Sequence, residues 1–414
     1  MALTLVTHAD CPTALFGALA ASVAWQDAAP LLHLPAHFAP ADGADSAQMV
    51  AAAGALVPSG LVWYERLCGR EILPPSSVES IVEAALLGAV VVAWHPRWQP
   101  ESLLRRLLHQ ARAASLAIRR LNGQVEGDRW FLTDDSGQPT PYGRWYRDPC
   151  GRWSAEQSLQ PAPAARPRLA IAVLGTDEDQ RLVYPAGLAA LGDAADALGI
   201  ELDLRFIDPT APGPAPLHAV GGLLLPGGSA MANVAGQIAA ARHALAADIP
   251  TLGLCLGMQS MATAYVQGLP GFAQANMAEA AADAVLHSFV PMAGHPGLAA
   301  HRLGDQPLRI VQPSLAQRLR AHPTIRCNHR YMLNPSVRQA VLAAGLEITA
   351  TNASGHIVDA IDVPSRRFFK GLQGHPELAS RPAAPYPLFE DFLRAARAHA
   401  ASTDETGTHI ALSP

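Results

Sequence analysis

Short apolar runs alternate with stretches whose apolar residues recur at helical spacing through the second half of the chain. LAIAVLG (169–175) reads as a buried strand, and YPAGLAALGDAADALGI (184–200) as a helix. ELDLRFID (201–208) alternates as a strand does, and GGLLLPGG (221–228) is a short apolar run closed by a glycine turn. A helix is predicted over 234–247, then the run TLGLCL (251–256) and another helix from Gly257. Strands alternating with helices predict a parallel sheet covered on both faces, with sites at the carboxyl ends of its strands.

The first half carries a weaker pattern. LTLVTH, PLLHLP and GAVVVAWH read as strands, and TALFGALAASVAW and SVESIVEAALL as helices. RWFLTDD and GRWYRD suggest an antiparallel portion, and LLRRLLHQARAASLAIRR (103–120) reads as one helix with a solvated basic face. Between the halves, SLQPAPAARPR (158–168) has the proline spacing of an extended linker. The expected fold class is α/β. A smaller N-terminal α/β domain (1–157) and a linker (158–168) precede a doubly wound, mostly parallel sheet domain (169–400), and a loose tail follows (401–414).

Composition narrows the function. Half of the 414 residues are apolar, 16% are charged, and the net charge is −5, which argues against a nucleic-acid or anionic-membrane footprint. The only lysine is Lys370, so there is no GxxxxGK[ST] phosphate loop. Cys11, Cys68, Cys150, Cys255 and Cys327 are scattered, without a CxxC pair, so neither a disulfide framework nor a metal cluster is expected. The N-terminus lacks the positive region of a secretory signal, and the apolar run 84–94 is too short to span a bilayer. A cytoplasmic protein is expected.

The candidate chemistry centres on PTLGLCLGMQ (250–259). Gly-x-Cys-x-Gly has the form of a nucleophile elbow, in which flanking glycines allow close backbone crossing and hold Cys255 on a strained turn. A helix start favours thiolate, and the amide of Leu256 points where an oxyanion would form. GLQGHPE (371–377) offers His375 as base and Glu377 to orient it, and the turn after LLLPGG offers the Gly228 amide as a second oxyanion donor. Each part alone is weak, because a free cysteine is usually core filler and a PGG usually a turn. Their order within one α/β pattern makes a catalytic Cys255 the stronger reading.

Residues 166–398 resemble a class I (triad) glutamine amidotransferase domain, most closely the C-terminal glutaminase domain of the CTP synthase family. The resemblance rests on LLLPGG, PTLGLCLGMQ, ANMAEA (275–280), HRLG (301–304), NHRYMLNP (328–335), IVDAIDVPSRRFFKGLQGHPELASRP and PLFEDFLRAA, in family order. It implies Cys255 as nucleophile, His375 as base, Glu377 as orienter, and Gly228 and Leu256 as oxyanion hole. It further implies that Gln259 and Arg330 hold glutamine, with Gly227 and Tyr331 beside it. A guanidinium fork suits a carboxylate. Three departures stand out. The family motif QFHPE has Gly374 in place of phenylalanine, and SAMAN follows PGG where the family is glycine-rich. The Ser-Thr-Glu-Phe stretch, whose glutamate contacts the substrate amino group, is matched by AAADAV, leaving Glu279 or Asp283 for that contact. The first half is shorter than that family's N-terminal domain and lacks its phosphate-loop lysine, so UTP amination through a phosphate loop is not expected.

The implied function is a thiol-dependent glutaminase or amidotransferase. It would pass through a γ-glutamyl thioester and deliver ammonia to an acceptor on the N-terminal domain or on a partner protein. No cofactor or metal is required for that half-reaction. The alternatives are a γ-glutamyl hydrolase or transferase acting on a γ-glutamylated small molecule, and a non-catalytic module with the same fold, against which the complete Cys-His-Glu set argues. No nucleic-acid or membrane partner is expected, and a homo-oligomer is left open. Other polar features have bland readings: His33 and His37 as strand-end or loop residues, WYERLCGRE (63–71) as an amphipathic helix with solvated charges, AWHPRW (93–98) as packed aromatics, and Cys327 as a buried thiol.

Overall fold

The computed structural model describes residues 1–158, 165–211 and 216–410, with side chains of the last helix described to Ser402. Contacts divide the chain into two compact units, one of Met1–Ala164 with Glu178–Ala189, the other of Ala165–Asp177 with Ala190–Pro414. Most of the stretch read as a linker, residues 159–164, lies outside the described residues. The stretch read as a loose tail begins inside the helix Pro387–Ile410, and residues 411–414 lie outside the described residues.

The first unit has a seven-stranded sheet. Leu31–His33, Ala89–Trp94, Ala2–Thr7 and Ala117–Glu126 pair in parallel in that order. Arg129–Thr133, Pro139–Arg147 and Trp153–Ala155 extend it antiparallel, where the alternating patterns RWFLTDD and GRWYRD had suggested it. The single helix read over 103–120 is two elements: a helix at Glu101–Ala113, and a strand from Ala117. Ser115, at φ +55°, breaks the helix, and the next residues take up pairing with Ala2–Thr7. Local helical spacing yields here to the hydrogen bonds of a central strand. In WYERLCGRE the helix Val62–Cys68 forms, but its charges are not all solvated. Glu65 is buried, and its Oε1 accepts from the amide of Ile72. His33 ends its strand, and His95 and Trp98 are buried and stacked with ring centroids 3.7 Å apart.

The second unit is built on an eight-stranded sheet. Five strands run parallel in the order Glu201–Ile207, Arg168–Leu174, Gly222–Leu225, Thr251–Leu254, Phe369–Leu372. Val358–Asp362, Glu347–Thr351 and Arg309–Ile310 continue it antiparallel. The parallel strands GLLL and TLGL are buried at every position, which is why they read as unbroken apolar runs. The helix Leu256–Gln267 is buried at every residue but Tyr265 and Gln267, sealing one face of the sheet. Its alanines, methionines and serine fit a helix enclosed on all sides better than an amphipathic one. Three adjacent strands thus release their chain ends at one edge: Pro226 after the first, Cys255 after the second, Gln373 after the third.

Candidate active site

Cys255 links the strand Thr251–Leu254 to the helix Leu256–Gln267 at φ +47°, ψ −105°. This conformation costs a non-glycine residue about 1–3 kcal/mol and is retained where surroundings force it. The forcing groups are visible. Leu372 accepts the Cys255 amide at 2.8 Å, tying the turn to the next strand. A Cβ on Gly257 would lie 2.1 Å from the Leu225 carbonyl oxygen, and one on Gly253 would lie 2.3 Å from Met261 Sδ. The helix therefore crosses its own strand and the neighbouring one at backbone distance, which only glycines permit. The flanking glycines are needed by this crossing, so the motif is a built elbow rather than loose core filler.

The third strand supplies the base. His375 and Glu377 sit on the short turn after Phe369–Leu372, and the His375 amide donates to the Arg326 carbonyl at 2.7 Å. His375 Nδ1 lies 2.8 Å from Glu377 Oε1, and both residues are buried, at 7% and 1% exposure. Burial alone would lower the imidazole pKa. The Glu377 charge, then the charge and hydrogen bond of Cys255, outweigh it and hold His375 well above its ordinary value. An imidazolium is thereby favoured beside Cys255, with Nδ1 taken by Glu377 and the other ring nitrogen left to face the thiol.

The first strand brings the glycine turn to the same point. A Cβ on Gly227 would lie 3.2 Å from His375 Cε1 and 3.4 Å from Cys255 Cβ. Backbone thus closes against both residues, with Gly228 next in the chain and the Leu256 amide at the open start of its helix.

The other residues singled out in the sequence separate into two groups. Gln259 is buried in the helix behind Cys255 and donates from Nε2 to Gln373 Oε1 at 3.3 Å. Arg330, Tyr331 and Glu279 act on one another electrostatically. Desolvation raises the Glu279 carboxyl and Arg330 opposes it, and the Tyr331 hydroxyl feels both charges after its own desolvation. Asp283 is exposed on the turn 281–284 and makes no hydrogen bond or ion pair among the described residues, whereas Glu279 interacts with Arg330.

Several residues at the site escaped the sequence reading. Gln373 Nε2 lies 3.9 Å from Cys255 Sγ, and the thiol also lies 3.9 Å from the Asn328 carbonyl. Gln373 was inside the quoted GLQGHPE, but nothing in its spacing separates a thiol contact from a strand end. The Asp359 backbone carbonyl accepts the Gln373 backbone N–H, and the Asp359 carboxylate is clasped by Arg302 through two hydrogen bonds, at 2.5 and 3.1 Å, both residues being buried. Cys327, His329 and Asp359 bring three ligand-type atoms within 4.8 Å of one another. Their chemistry suits the Arg302 guanidinium rather than a metal ion. Both Asp359 oxygens face Arg302, His329 Nδ1 faces the Tyr331 carbonyl at 2.9 Å, and burial followed by the Arg302 charge holds His329 down to about 3. Gly374 has a local reason too: a Cβ there would lie 2.5 Å from Ile325 Cγ1 and 2.7 Å from the Arg326 carbonyl.

Comparison with known proteins finds relatives for the second unit. Residues 190–395 match the family described as glutamine amidotransferase class-I. CTP synthase of Cyanothece sp. is 35% identical over 273 residues, covering 61% of this chain and 47% of that protein. CTP synthase of Thermosynechococcus vestitus is 35% identical over 243 residues, covering 55% and 44%. The chain therefore spans about half the length of the curated relatives it matches. Among solved structures, the glutaminase domain of Trypanosoma brucei CTPS with bound acivicin is 29% identical, with a TM-score of 0.51, covering 55% of this chain and 94% of that one. No described helix is long and apolar enough to cross a membrane.

Proposed function

We propose, for a chain whose residues 190–395 form a class I glutamine amidotransferase domain, that the second unit hydrolyses the side-chain amide of glutamine through Cys255 and releases ammonia for transfer. The observation that carries this reading is the buried His375–Glu377 hydrogen bond set against a thiol on a strained elbow. In this reading Cys255 attacks the amide carbon. The amides of Leu256 and Gly228 take the developing oxyanion, and His375 gives its proton to the departing nitrogen. Ammonia leaves, and the γ-glutamyl thioester remains on Cys255. His375 then takes a proton from water, which attacks the thioester and frees glutamate. Arg330 binds the substrate α-carboxylate with Tyr331 and Gly227 beside it, Gln259 holds the glutamine with it, and Glu279 receives the amino group. The chemistry calls on no cofactor or metal.

The ammonia acceptor belongs to the first unit or to a partner protein. With Lys370 the only lysine, the first unit has no phosphate-loop lysine, which favours an acceptor reaction other than UTP amination by that loop.

The test is direct. The purified chain, given glutamine, is expected to produce glutamate and ammonia in equal amounts, and acivicin is expected to modify Cys255. Cys255→Ala is expected to abolish both. A folded chain that neither turns over glutamine nor takes the label overturns the proposal. Turnover of γ-glutamyl amides without glutamine turnover assigns the site to a γ-glutamyl hydrolase or transferase instead.

A further inference from the structure

Gln373 is fully buried and directly follows Phe369–Leu372, the third strand of the site. Its backbone is tied on both sides. Its N–H donates to the Asp359 carbonyl at 2.9 Å, and the Leu372 carbonyl just before it accepts the Cys255 N–H at 2.8 Å. Arg302 holds Asp359 in turn. A buried side-chain amide on so fixed a backbone has two ends to satisfy, an acceptor and a donor. Gln373 Oε1 accepts from Gln259 Nε2 at 3.3 Å. That contact turns the other end, Nε2, toward Cys255 Sγ, 3.9 Å away. Sulfur is larger than oxygen, so a donor meets it at longer range.

The two protonation states of Cys255 therefore meet different partners. A thiol donates to the Asn328 carbonyl at 3.9 Å. A thiolate has no proton to give and is repelled by that carbonyl, whereas Gln373 Nε2 offers it an N–H. Hydrogen bonds to an ionised partner are roughly twice as strong as neutral ones, and a donor aimed at the charged form favours that form. The titratable groups around the sulfur are His375, backed by Glu377, and Cys327, with Arg302, Asp359 and His329 about it. Burial pushes the Cys327 thiol up, so it stays uncharged. Gln373 has no charge of its own, so its support for the thiolate does not vary with pH.

We propose that Gln373 is a catalytic residue: its side-chain amide donates to the Cys255 thiolate, and Gln259 sets which end of that amide faces the sulfur. The proposal rests on the reading of Cys255 as the nucleophile, and its experiment does not require glutamine turnover.

The test is Gln373→Met in the full chain, read as the rate of Cys255 alkylation by iodoacetamide against pH. Methionine is close to glutamine in length and carries no donor. Peptide mapping assigns the modification to Cys255 among the five cysteines. The midpoint of the profile is expected to rise by about half to one pH unit, a rate about three- to tenfold lower below the midpoint. The plateau above the midpoint, where thiolate formation is complete, is expected to stay level or rise slightly, since a more basic thiolate is the better nucleophile. A folded variant whose midpoint lies within about 0.1 unit of the parent overturns the proposal. So does a changed plateau with an unmoved midpoint, which assigns Gln373 to packing around the thiol. Gln259→Met leaves Gln373 in place and releases its Oε1, so the midpoint is expected to rise by a smaller amount, about 0.3 unit. An unmoved Gln259→Met profile overturns the part given to Gln259, and the whole proposal should Gln373→Met not fold. A parent protein that alkylates at Cys255 but leaves glutamine intact defeats the glutaminase reading only.

Discussion

Replacing Glu377 with glutamine is the sharpest perturbation of the site, because it keeps the shape and removes one charge. Glu377 is 1% exposed, and its carboxylate oxygen lies 2.8 Å from His375 Nδ1. A hydrogen bond to a charged partner contributes about 1.5–3 kcal/mol, so its loss lowers the imidazole pKa by about one to two units. The glutamine amide also presents N–H donors to Nδ1. If Nδ1 accepts, the proton moves to the nitrogen facing Cys255, which can then no longer take one from the thiol. A wrong tautomer of this kind costs about 10⁴ in kcat in the serine-protease triad, so a loss of about 10²–10⁴ in glutaminase kcat is expected here. The assay is initial-rate release of ammonia from glutamine, with alkylation of Cys255 against pH as a second measure. Stability carries a sign as well. The folded pKa of His375 is raised, so its contribution is complete below the unfolded value near 6.5 and fades as pH rises through the folded pKa. The melting-temperature gap between parent and Glu377→Gln is therefore expected to be wider at pH 6 than at pH 9. A folded variant with kcat within about tenfold of the parent would refute the assignment of Glu377 as orienter.

Two further outcomes follow from the elbow and the carboxylate site. Cys255→Gly removes a side chain held at φ +47° and is expected to raise stability by about 1 kcal/mol in urea unfolding while abolishing turnover. An equal or lower stability would show that the turn is unstrained. Arg330→Met is expected to raise KM for glutamine by about tenfold or more with a smaller change in kcat, as befits lost carboxylate binding. A change confined to kcat would remove Arg330 from that role.

Several of these features were legible in the linear chain. LLLPGG and TLGLCL were readable because fully buried parallel strands leave unbroken apolar runs, and GLQGHPE because a histidine and a glutamate two apart are themselves a chemical signal. The glycines around Cys255 were readable because the crossing of Leu225 and Gly257 admits no Cβ. The helix read across 103–120 failed for the opposite reason. The residues from Ala117 onward have tolerable helical spacing, and only a pairing partner more than a hundred residues away makes them a strand.

Residue type and order by themselves determined the α/β class and the candidate nucleophile, base and orienter, since these depend on local pattern and on chemistry that few side chains possess. The tertiary structure decided what surrounds them. It set Gln373 beside the thiol, clasped Asp359 with Arg302, and brought Glu279 under the Arg330 charge. Those contacts join segments tens to more than a hundred residues apart. Their energies depend on burial and distance, which a linear chain does not contain until it has folded.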